Sequence, residues 1–221
     1  MARPQSSPES GPFHAGERLV QIRAQVPVSI EAVARQAIRD FMPDQHREFF
    51  AQLPFVLLGM ADAQGQPWAT ILAKPPGFMR CPEPQRMIVH ALPVAPDPIS
   101  TSLTIGAPVG LLGIEPQSRR RNRMNGRVTA VTEHWFEITV VQSFGNCPKY
   151  IQAREARFVT DAPGPGATAP AGATELDAAA LQMVGAADTF FIATTHPAAT
   201  VSAAQAEGVD VSHRGGKPGF V

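Results

Sequence analysis

The stretch from Val209 to Val221 reads Val-Asp-Val-Ser-His-Arg-Gly-Gly-Lys-Pro-Gly-Phe-Val and combines a carboxylate, a hydroxyl, an imidazole, two cations and three glycines. That mixture suits an anion-binding site better than a core strand, because guanidinium, ammonium and hydroxyl groups all donate to phosphate oxygens. A second cationic stretch holds Arg119, Arg120, Arg121, Arg123 and Arg127 around Asn125-Gly126. On a strand, Arg119, Arg121 and Arg123 share one face, with Arg120, Asn122 and Met124 on the other. Three cations on one face form a phosphate clamp or, equally, a solvated hairpin that blunts a sheet edge. In the third stretch, Gln142 to Gln152, Ser143, Asn146 and the backbone at Gly145 can donate to an anion or a heterocycle, and Lys149 can neutralise charge. Its structural alternative is a strand-to-helix junction with Asn146 as the N-cap and Pro148 in the first turn.

Other chemistries find less support. His213 stands out beside Ser212 and Arg214, His46 is expected on an exposed helix face, and His14, His90, His134 and His196 have no partner at ligand spacing. No metal set is legible, and neither a Ser-His-acid arrangement, a Walker motif nor a Rossmann fingerprint is found. Lys plus Arg equals Asp plus Glu at 19 each, so no global field draws nucleic acid or a membrane surface, and any phosphate recognition is local. The arginines also lack the neighbouring aromatics that stack bases. Cys81 and Cys147 lie far apart in the sequence without metal-type spacing, which points to a reduced, cytoplasmic setting. No apolar run approaches the roughly 18 residues that span a bilayer.

The elements that must position these groups follow from periodicity. Residues 1–16 read as a flexible tail, and an apolar face from Ile30 to Phe41 predicts a helix capped by Ser29. A second helix is expected over Asp44 to Leu53. Short β-type runs then follow: Phe55 to Met60, Trp68 to Ala73, Met87 to Ala91, Val109 to Ile114, Arg119 to Met124, Arg127 to Val131 and Trp135 to Gln142. Their spacing argues for an antiparallel barrel or sandwich, with Asn125-Gly126 as a type I′ hairpin turn. Short helices are expected near Pro98 to Leu103 and over Tyr150 to Phe158. The apolar content of 44% supports a real core for the domain at 17–160.

An Ala/Pro/Gly-rich linker at 161–174 precedes a helical face through Leu176, Ala179, Ala180, Met183 and Val184. The order helix, strand, polar loop and Lys-Pro-Gly-Phe then repeats, with Lys217 to Phe220 echoing Lys74 to Phe78. Residues 175–221 therefore read as the start of a second copy of one supersecondary unit.

Taken together, Arg119 to Arg127, Gly145 to Gln152 and Asp210 to Phe220 resemble the pyridoxamine 5′-phosphate oxidase-like superfamily, and within it a flavin-nucleotide-binding subgroup with two such units. The resemblance implies a mainly β fold with flanking helices (α+β): an FMN-binding Greek-key split β-barrel, followed by the truncated start of a similar unit. It implies a homodimer that binds FMN in a groove and acts as an oxidoreductase toward an unknown substrate, exchanging hydride with NAD(P)H. The implied cofactor-binding residues are Arg121, Arg123, Asn146, Lys149, Ser212, Arg214 and Lys217, with Trp68, Thr70 and Lys74 as counterparts in the first unit. Relatives continue past Val221 with more strands, so either the sequence is a fragment or truncated gene product, or the tail docks on the first unit or on another protomer. Two other readings stay open: a non-catalytic flavin carrier or scaffold, and a small barrel that binds nucleic acid through the arginines.

Overall fold

The computed structural model describes residues 11–157, 159 and 174–221. Three helices lead in: α1 (Ala15–Arg23), α2 (Ser29–Ala37) and α3 (Asp44–Gln52). Seven strands follow, β1 (Phe55–Ala61), β2 (Pro67–Ala73), β3 (Met79–Glu83), β4 (Arg86–Val89), β5 (Pro108–Glu115), β6 (Arg120–Val131) and β7 (Phe136–Gly145). They form one antiparallel sheet in the order β2-β1-β5-β6-β7-β4-β3. Both outer strands contribute to a single core, Leu72 from β2 and Met79 from β3, together with Phe49 and Phe50 of α3 and Val56, Leu58, Leu111, Met124 and Ile138. The sheet thus curls around one core while β2 and β3 remain unpaired with each other. This mainly β fold with flanking helices is an open, split barrel with crossed connections.

After the barrel come α4 (Ala178–Ala186), β8 (Thr189–Thr195) and β9 (Val209–Gly215), the last two a separate antiparallel hairpin. This hairpin lies on the outer face of the barrel sheet, against β1, β2, β5 and β6. Leu57, Leu112 and Ile114 of the sheet meet Ile151, Ala193 and Val211 in a second apolar cluster. Close approach depends on two glycines. A Cβ on Gly59 would lie 2.2 Å from Val211 Cγ2, and one on Gly110 would lie 2.7 Å from the Val209 carbonyl oxygen.

The repeat is visible in the backbone. Each helix and hairpin ends in a turn with a left-handed glycine, Gly77 at φ 93° and Gly219 at φ 83°. Each turn is tied to the start of its hairpin, by Lys74 N–H to Pro54 O at 3.1 Å and by Gly216 N–H to Asp188 O at 3.0 Å.

Several local expectations change. The helix start at Ala15 with a His14 cap replaces the expected tail over its last residues, and residues 1–10 lie outside the described residues. Ser29 is the first helical residue of α2, and Val28 takes the cap position without a side-chain bond. Pro98 to Leu103 forms turns, and residues 150–157 are not helical, with Phe158 and most of the expected linker outside the described residues.

Asn125-Gly126 is not a turn: neither residue has positive φ, and β6 continues through it with a shift of register against β7. The glycine serves contact instead, since a Cβ there would meet Thr139 O at 2.2 Å. Strand β3 was not legible because Arg80, Pro82 and Glu83 interrupt its apolar pattern.

The docking geometry makes a prediction. Gly110→Val should undock the hairpin at a cost of about 1–3 kcal/mol, because the new side chain meets backbone rather than a movable side-chain end. Hydrogen exchange checks this: β9 amides should lose protection while β5 and β6 keep theirs, and unchanged β9 protection would refute the role given to Gly110.

Candidate functional site

The hairpin carries β9 across the cationic face of β6. Strand alternation puts Arg121, Arg123 and Asn125 on one side of β6 and Met124 in the barrel core on the other. Arg123 donates from Nη1 to Asp210 Oδ2 at 3.1 Å and from Nη2 to Ser212 Oγ at 2.6 Å. Arg121 Nη1 donates to His213 Nδ1 at 2.9 Å. An acceptor Nδ1 leaves the imidazole proton on Nε2, since guanidinium has no lone pair to offer in return.

His213 is 3% exposed and packs edge-on against Phe191. Burial first, then the positive charges of Arg121 and Arg214, push its pKa down to about 4. The imidazole is therefore neutral at pH 7. Arg121 is held below the usual guanidinium range by burial and by Arg123 and Arg214, although Cys147 partly offsets this. Arg123 is depressed by burial and Arg214 against the opposing effect of Asp210.

A third segment closes on the same place. After β7, Ile151 packs in the cluster with Val211, and Gln152 Nε2 donates to Gly216 O at 2.9 Å. The Asn146 N–H donates to Arg121 O at 3.2 Å, so the segment carrying Asn146 and Lys149 begins beside Arg121 and ends beside β9. Lys149 is exposed.

The cluster is electrostatically incomplete. Arg121, Arg123 and Arg214 repel one another, and Asp210 is the one carboxylate paired with them among the described residues. Arg121 Nε is buried without an acceptor, as is the Asn146 carbonyl Oδ1 without a donor. A buried donor left unpaired costs on the order of 1–3 kcal/mol, but Arg121 Nε is closed off from solvent, so a ligand would meet this guanidinium through its Nη atoms. Arg214 is exposed and spends Nη1 on its neighbour's carbonyl, so it retains donors for a ligand. The arrangement fits a phosphate monoester: two guanidinium groups with spare donors, the Ser212 hydroxyl, and Lys149 nearby.

The structure brings Arg121, Arg123, Asn146, Ser212 and Arg214 together. Lys217 stands exposed in the turn after β9. Trp68, Thr70 and Lys74 are elsewhere, because β1 and β5 separate β2 from β6. Trp68 Nε1 donates to Asp62 Oδ2 at 2.8 Å, Thr70 donates to Asp97, and Lys74 is exposed.

Other arginines of the run hold structure. Arg120 lies over the Phe49 ring at 4.5 Å, and Arg127 donates to carbonyls of Ala199 and Ser202 in the β8–β9 loop. His46, expected on an exposed face, is 7% exposed and pairs with Ser143 Oγ at 2.9 Å, because α3 lies on the sheet with that side inward. Asp210 was absent from the sequence-derived set. Its signal was parity, since Asp210, Ser212 and Arg214 alternate on one strand face.

No family model matches the sequence, and no curated protein matches it. Solved structures similar to the chain include an FMN-binding protein from Syntrophomonas wolfei, at 8% identity and TM-score 0.39, covering 58% of this chain and 96% of that one. HupZ of Group A Streptococcus is similar at 14% identity and TM-score 0.37, covering 47% and 94%. The FAD binding protein from Mycobacterium smegmatis is similar at 10% identity and TM-score 0.33, covering 49% and 96%.

The His213 environment predicts acid sensitivity. Its folded pKa of about 4 lies below the ordinary 6.5, so on acidification the unfolded chain takes up the proton first. The stability this group confers is complete above pH 6.5 and is lost as pH falls toward 4, by about 3 kcal/mol at most. Denaturant titrations at pH 7 and 4.5 should show His213→Gln losing less stability on acidification than the parent chain; an equal loss would contradict this.

Proposed function

We propose that this chain is an FMN-binding flavoprotein of the pyridoxamine 5′-phosphate oxidase-like superfamily and acts as an oxidoreductase. The observation that carries the reading is the convergence of β6, the 145–152 segment and β9 on one cluster of three mutually repelling arginines with a single paired carboxylate. Arg121 and Arg214 would bind the phosphate, with Ser212 and Lys149 beside them. Arg123 would hold Ser212 and Asp210 in place. When bound, FMN supplies the redox chemistry, passing a hydride to or from a substrate or NAD(P)H. The chain's own part is to bind, orient and shield. Neutral His213, already accepting from Arg121, serves as a wall and hydrogen-bond partner rather than a proton donor.

A homodimer belongs to the same proposal, supported by apolar side chains left outward on α4 and β8, where Leu181, Met183 and Ile192 are exposed. A cytoplasmic setting agrees with two free cysteines, the half-buried Cys81 thiol being pushed up to about 12 by burial. No helix among the described residues is long and apolar enough to cross a membrane. The flavin-carrier reading shares the site and is favoured by one feature: the single carboxylate in the cluster, Asp210, is already engaged by Arg123 and Asn125. The nucleic-acid reading loses its footing because Arg121 and Arg123 lie beneath β9 rather than on an exposed hairpin.

Reconstitution tests the proposal. FMN should be retained through desalting with bands near ~375 and ~450 nm. It should bind at least about tenfold tighter than riboflavin, as charge-assisted phosphate contacts require. Arg214→Ala should erase most of that preference while leaving riboflavin affinity unchanged. A protein that binds FMN and riboflavin equally, or neither, would overturn the phosphate assignment. Reduction of bound FMN by NADH or NADPH would separate the oxidoreductase from the carrier.

A further inference from the structure

Helix α1 has nine residues and buries none of them, whereas α3, of the same length, buries His46, Phe49 and Phe50. A helix that short is marginal in water, and helices in proteins draw most of their stability from packing an apolar face. On α1, Leu19, Val20 and Ile22 all stand in solvent, Ile22 at 73% exposure. The connection and α2 continue this surface: Val28 is 91% exposed, Ile30 and Val33 are exposed, and Ala34 is the one residue of α2 that is buried. The Arg18–Glu31 ion pair at 3.3 Å brings the start of α2 back beside α1, so these side chains belong to one helical hairpin. Together they leave on the order of 600 Å² of apolar surface in water, the upper end for a monomer's largest patch and close to the roughly 800 Å² that each partner gives to a standard interface.

The charges of the hairpin are few and mostly paired. Glu17 Oε2 accepts from the His14 N–H at 2.9 Å, and Glu31 Oε1 meets both Arg18 and Arg35, the latter at 2.8 Å. Arg23 has no carboxylate partner among the described residues, and three arginines against two glutamates leave α1 and α2 with one net positive charge. Anionic lipid is held by clusters of about four to eight basic residues, so this face does not suit a membrane surface. The whole chain, with 19 basic and 19 acidic side chains, carries no net charge to oppose association with itself.

We infer that the α1–α2 hairpin is a self-association surface that pairs with the same hairpin of a second copy about a two-fold axis. Each face then covers the apolar side chains of the other, as an isologous contact requires, and α1 gains the cover that its own barrel does not supply. The surface uses no residue of α4 or β8 and no flavin contact, so it stands or falls apart from the function proposed above.

Light scattering and hydrogen exchange on the full chain without flavin test the inference. Ile22→Glu and Val28→Lys alter two highly exposed side chains and introduce opposite charges. Each should halve the scattering mass of the parent chain and lower α1 amide protection at least about tenfold, while β6 amides keep theirs and show that the barrel is folded. Met183→Glu, on α4, should leave α1 protection unchanged. A parent chain that scatters as one copy even when concentrated, or variants equal to the parent in mass and α1 protection, would overturn the inference. So would α1 protection gained only on adding phosphatidylserine vesicles, which would assign the face to lipid.

Discussion

Two partly buried arginines of β6 constrain the rest of the molecule. Guanidinium groups taken from water cost several kcal/mol each unless partners replace the lost hydration. For Arg123 those partners are Asp210 and Ser212, and for Arg121 the partner is His213, all supplied by β9. The hairpin therefore has to dock, and docking in turn needs a smooth sheet face. Gly59 and Gly110 provide it, and Leu57, Leu112 and Ile114 meet Val211 across it. Apolar contact brings the hairpin close, and the arginines fix which side chains it must present.

The docked hairpin is a second use of the unit that opens the barrel. Equating β8 with β1 and β9 with β2, the contacts are reciprocal: β1 touches β9, β2 touches β8, and β1 touches β8. Such exchange is what a two-fold, face-to-face packing of like units produces. In the first unit the inward face of β1 closes on the core under α3. In the second, α4 buries none of its residues, and Phe190 stacks on Phe220 at 5.6 Å instead of entering a closed core. The second unit thus covers the outer face of the first and brings β9 onto the arginines of β6.

Much of this was legible in the chain. The period-two runs located β1, β2, β5 and β7 within a few residues, and the Lys-Pro-Gly-Phe echo marked the repeat. The Ser-His-Arg strand was found from residue type alone, and of the three arginines that parity put on one face Arg121 and Arg123 share it, whereas Arg119 lies in the turn before β6 at φ 54°. What sequence could not show was partnership across distance. Asn125-Gly126 has turn chemistry, yet close packing against Thr139 uses the glycine for space, and the strand runs on. His46 sits on a polar-looking helix, yet its burial depends on Ser143 almost a hundred positions away. Trp68, Thr70 and Lys74 matched the repeat, but the equivalent strand is on the far side of β1 and β5 from the arginines.

In the proposed flavin site the docked hairpin supplies Ser212 and Arg214, so FMN binding requires docking. Calorimetric titration of FMN into Val211→Glu, with barrel integrity confirmed by circular dichroism, tests it most directly. The substitution buries a charge in the apolar contact and leaves Arg121, Arg123, Ser212 and Arg214 in the chain. FMN binding should fall by at least about a hundredfold, since several charge-assisted contacts are lost together. Binding equal to that of the parent chain would show that FMN binds without the docked hairpin.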